Sequence, residues 1–137
     1  MQGLIGPLKE LAEFEELCKN KKKDAGMIRV CGCVNSQKSH MMYAIGDGCK
    51  YKVIACSSET KAKQIYEEYR FLDSNTYLYP AKDFLFYQAD IRSKELVKQR
   101  MEGIQAVLVG EPVTVVTSLD GFMDHLAPKA SIEGKVL

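Results

Sequence analysis

The feature that most constrains the fold of this 137-residue chain is an alternation between short apolar runs, several of them β-branched, and segments whose apolar residues recur at helical spacing. The runs lie at 27–31, 51–56, 76–79 and 113–117. The first is bounded by Gly26 and Gly32 and interrupted only by Arg29, a composition that predicts a largely buried strand. Between the runs the period changes. Residues 38–45 place Met41, Met42 and Ile45 at helical spacing, with Gly46 and Gly48 to stop them. After Ser57 or Ser58 as a cap, Ala62, Ile65, Tyr66 and Tyr69 fall at i, i+3, i+4 and i+7. A long helix is expected over 93–109, with Val97, Met101, Ile104 and Leu108 inward and Gly110 as its stop, and a short one over 119–126. Strands separated by helices predict βαβ units, and therefore an α/β fold with a mainly parallel sheet covered by helices on both faces.

Ahead of the first run, Pro7 opens an amphipathic helix over 7–18, with Leu8, Leu11, Phe14, Leu17 and Cys18 at near-helical spacing. Lys19, Lys21, Lys22 and Lys23 follow and read as a solvated loop. Segment 81–92 mixes Phe84, Phe86 and Tyr87 with polar residues, shows no period, and is expected to be an ordered loop. There is no internal repeat. A single domain over 1–127 is expected, long enough to bury about two-thirds of the surface its unfolded form exposes. Residues 128–137, ending in the apolar Val136-Leu137, read as the start of a connection to a following domain absent from this chain.

Charge counts against one class of function. The 19 Lys and Arg against 18 Asp and Glu leave no field strong enough for tight autonomous DNA binding by counterion release. Five cysteines, an odd number without C-x-x-C spacing, predict free thiols in a reducing cytoplasm, with Cys31 and Cys33 packed at the end of the first strand. Neither a signal peptide nor an apolar stretch of membrane-spanning length is present, so no membrane partner is expected.

The chemical question sits in Gly32-Cys33-Val34-Asn35-Ser36-Gln37-Lys38-Ser39. A phosphate-binding loop is G-x-x-x-x-G-K-[ST] between a strand and a helix: backbone amides wrap the phosphates, the Lys neutralises them and the hydroxyl holds magnesium. Gly32, Lys38 and Ser39 stand at the right spacing, but Gln37 replaces the second Gly, where it is expected to strain and crowd the loop. Gly32, Ser36, Lys38 and Ser39 are thus candidate phosphate contacts of a degenerate site. Hydrolysis also needs an acid at the end of another strand, and the candidate, Asp120, reads instead as a residue near a helix N-terminus. No catalytic residue and no metal ligand is assigned. His40 and His125 read as surface or packing residues, and Tyr77, Tyr79, Phe84, Phe86 and Tyr87 as packing rather than base-stacking groups.

Taken together, the phosphate-loop-like segment, ETKAKQIYEEYRF at 59–71, LYPAKD at 78–83 with Phe86-Tyr87-Gln88, and EPVTVVT at 111–117 leading to Asp120-Gly121 resemble the N-terminal module of bacterial transcription-repair coupling factors, itself similar to the first domain of the excision-repair helicase UvrB. The resemblance covers nearly the whole chain. It implies a RecA-like half-domain, of the P-loop NTPase type, from a cytoplasmic multidomain protein that displaces stalled RNA polymerase by ATP-driven translocation on double-stranded DNA and recruits excision repair through UvrA. It also implies that ATP and magnesium serve a motor elsewhere in the parent chain, that this module needs no cofactor, and that its direct partner is the rest of the parent. The UvrB-like relative carries a long DNA-engaging hairpin after the aromatic loop, where here only residues 88–92 intervene. Three functions follow as expectations: a non-catalytic interaction module, a P-loop NTPase that binds nucleotide weakly and needs a partner surface, and an autonomous nucleic-acid binder.

Overall fold

A computed structural model describes residues 5–22, 26–82 and 90–126. The elements are α1 (Gly6–Lys9), α2 (Ala12–Lys22), α3 (Asn35–Ile45), β1 (Tyr51–Cys56), α4 (Glu59–Tyr69), β2 (Thr76–Tyr79), α5 (Asp90–Val109), β3 (Val113–Ser118) and α6 (Leu119–Met123). The fold is α/β. Among the described residues the sheet has three strands in the order β1-β3-β2, all parallel, with Tyr51 opposite Val113 and Thr76 opposite Thr114.

The connections explain the layers. From β1 the chain passes over the place of β3 to reach β2, then returns through α5 to lay β3 between them. Crossovers of one hand running in opposite directions put their helices on opposite faces. Accordingly Ala62 and Ile65 of α4 pack with Cys56 and Val116 on one face, joined by Met42, Ile54, Tyr66 and Leu78. On the other face α5 packs on β2, where a Cβ placed on Gly103 would stand 3.8 Å from the Tyr77 and Tyr79 side chains. Full burial of a side chain such as Val116 stabilises by about 2 kcal/mol. Coverage on the α5 side stops short of β1, where Val53 is 59% exposed.

The polar residues of the sheet are held at its two ends. At the N-terminal end, the Asp73 carboxylate accepts from Lys52 Nζ (2.8 Å), Thr114 Oγ1 (2.9 Å) and the Asn75 amide (3.1 Å). Burial works to raise the Asp73 pKa, but the bonds from Lys52 and Thr114 outweigh it and hold the carboxyl below its ordinary value. Nearby, Tyr69 has no exposed surface and its hydroxyl is pushed up to about 12 by burial and by the Asp73 charge. At the other end Arg100 donates to the Pro80 carbonyl (2.6 Å), the Asp124 carboxylate (2.8 Å) and the Tyr79 hydroxyl, its guanidinium 4.2 Å from the Tyr79 ring centre. That cluster ties β2, α5 and the end of α6 together.

Several expectations are corrected. Residues 27–31 form no strand: Met27 is 93% exposed, Ile28 42% and Val30 43%. An apolar run becomes a strand only where a ladder partner accepts it, and this one has none among the described residues. Cys31 is accordingly exposed and Cys33 half-buried rather than packed at a strand end. The helix over 7–18 is two helices, interrupted between Lys9 and Ala12. With that break Ile5 and Phe14 both pack on Ala44 of α3, forming a second small core. α2 continues to Lys22, so Lys19, Lys21 and Lys22 belong to a helix end rather than a loop.

The long helix starts at Asp90 instead of residue 93, and its expected inward stripe holds at the half-buried Ile104 and Leu108 but not at Val97 and Met101. Val97 and Met101 are 56% and 39% exposed, while Arg100 and Gly103 take buried positions. The short helix ends at Met123. The expected loop at 81–92 falls in part, at 83–89, outside the described residues, as do Lys23, Phe84, Phe86 and Tyr87 and the connection at 128–137.

Candidate functional site

In an open α/β sheet, ligand sites form beyond the carboxyl ends of the strands, where neighbouring connections leave to opposite faces. Here that place lies beyond β1 and β3. From β1 the chain enters α4 through Ser58, whose side chain accepts the Lys61 amide at 3.3 Å. From β3 it enters α6 through Ser118, whose side chain accepts the Gly121 amide at 3.0 Å. Residues 32–39 border the same region. A cleft of about 690 Å³ is lined by Gly32, Cys33, Lys38, Ala55, Ser57 and Lys61, among others.

The residues of the phosphate-loop-like segment are engaged in a different task. Gly32 adopts a left-handed backbone, with φ of 85°, a conformation that glycine takes at no steric cost. After it the resemblance to a cradle ends, because α3 begins at Asn35 and leaves only Cys33 and Val34 as loop. The amides of Gln37 and Lys38 both donate to the Val34 carbonyl, at 3.0 and 3.2 Å. In return the Gln37 side chain accepts the Val34 amide at 3.3 Å, half of a reciprocal capping pair. Gln37 therefore does not strain the backbone. It sits in helical conformation and starts the helix.

The side chains of Lys38 and Ser39 also have partners within the protein. Lys38 is exposed and its ammonium donates to Asn35 Oδ1 at 3.1 Å, one turn back on α3. Ser39 is 4% exposed and its hydroxyl donates to Glu68 of α4 at 2.7 Å, while the other Glu68 oxygen accepts from Gln64 at 3.0 Å. Ser36 lies on the first turn of α3; its side chain is outside the described residues. Gly32 and Lys38 line one cleft, and Ser39 turns to an adjacent helix instead.

Asp120 is exposed in the first turn of α6. The acid that reaches the carboxyl end of β3 is instead Glu59: its Oε1 accepts from the Ser118 hydroxyl and from the Ala81 amide, the latter at 2.9 Å. Glu59 and Glu68 escape sequence reasoning because each falls on the polar side of an ordinary amphipathic helix. The one available signal is that Glu59 follows two serines at the end of a strand.

Among the described residues no group of three or more His, Cys, Asp or Glu side chains is placed to hold a metal ion. Burial pushes the Cys56 thiol up, against the pull of Lys61, which favours the unreactive protonated form. Tyr79 is buried under Arg100 rather than offered for stacking, and His125 is exposed. No helix among the described residues is long and apolar enough to cross a membrane.

Fold and site together define an α/β protein with an open parallel sheet and a phosphate-loop-like segment committed to internal hydrogen bonds. Compared with protein-family models, curated proteins and solved structures, the chain matches none of them.

Proposed function

We propose that this chain is a non-catalytic, RecA-like N-terminal module of a bacterial transcription-repair coupling factor. The observation that carries the non-catalytic reading is the capture of the Gln37 and Lys38 amides by the Val34 carbonyl. Those amides are what a phosphate cradle must offer, and here they begin a helix. Ser39 bound to Glu68 supports it, because the hydroxyl that would meet magnesium is buried on a carboxylate. The family reading rests on the sequence stretches at 32–39, 59–71, 78–88 and 111–121, and the parallel α/β sheet is compatible with a RecA-like half-domain.

In this reading the module is a scaffold within a cytoplasmic parent. RNA polymerase, UvrA and double-stranded DNA are partners of that parent, and ATP and magnesium are cofactors of its motor. The test is the coding sequence downstream of Leu137. A UvrA-binding-like domain followed by helicase motifs agrees with the proposal, and a stop codon or an unrelated domain overturns it.

One observation favours a second reading, a P-loop NTPase domain that binds nucleotide weakly and needs a partner surface: Lys38 and Lys61 line the same cleft. Two ammonium groups beside the N-terminus of α4 would attract an anion. Calorimetry with ATP-magnesium separates the readings. Millimolar binding that disappears in Lys38→Ala supports the second, and no heat of binding removes it.

A further inference from the structure

We draw no further inference here: the strongest candidate, the apolar groove between α5 and α6 over the bare face of β1, lined by Val53, Val107, Phe122 and Leu126, carries nothing because nothing in the structure shows what covers it.

Discussion

The hydroxyl of Ser39, which a working phosphate loop would place on magnesium, donates to the Glu68 carboxylate 2.7 Å away and so joins α3 to α4. That contact turns a would-be catalytic side chain into a structural one. Ser39→Ala should lower stability by about 1–2 kcal/mol, since a nearly buried hydroxyl that serves a carboxylate is lost. Urea denaturation checks the loss, and ATP-magnesium calorimetry on the same variant should show no change. A variant of full stability with altered nucleotide affinity would return Ser39 to a phosphate site.

Gly121 sits where α6 turns off the sheet, and a Cβ there would stand 2.6 Å from Thr117 Oγ1 and 3.1 Å from both the Ala81 nitrogen and the Tyr79 oxygen. Two of those atoms are backbone and cannot swing aside. Gly121→Ala should therefore destabilise by about 2 kcal/mol. Gly103→Ala is the control, because its Cβ would meet Tyr77 and Tyr79 at an ordinary 3.8 Å. That helix-interior change should be neutral or stabilise by up to about 1 kcal/mol. Equal thermal shifts in the two variants would show the close approach at Gly121 to be wrong.

Acid stability should depend on Asp73. Its carboxyl is held below the ordinary value by Lys52 and Thr114 against the opposing effect of burial, so the folded state favours the ionised form more than the unfolded chain does. The stabilisation is present in full above the unfolded pKa, near pH 4, and is lost as pH falls through the depressed folded value. Asp73→Asn should lose about 2 kcal/mol at pH 7. The gap between variant and parent, read from urea midpoints, should shrink by pH 3. A gap that stays constant with pH would mean that the charge on Asp73 contributes nothing.

The sequence was most legible where local pattern and tertiary partner agree. Residues 51–56 and 76–79 are strands with the expected bounds, and 113–117 falls short of β3 only by Ser118. Each is apolar on the face that α4 covers, through Ile54, Leu78 and Val116, and the helix between the first two shows its burial in the sequence as Ala62, Ile65 and Tyr69. Legibility failed where a residue's partner lies far away. The run at 27–31 has strand composition but no ladder, and Arg100 faces inward because Pro80, Asp124 and Tyr79 satisfy it, a fact no helical period reveals. At the candidate site, the spacing of Gly32, Lys38 and Ser39 was visible, whereas the earlier helix start and the claims of Val34, Asn35 and Glu68 on their groups were not.

The central claim, that residues 32–39 scaffold the fold and do not run an ATPase, is tested most directly by steady-state ATP hydrolysis of the purified chain with magnesium. No turnover above background is expected, and the same trace for Lys38→Ala. Steady turnover in the parent chain that disappears in Lys38→Ala would contradict it.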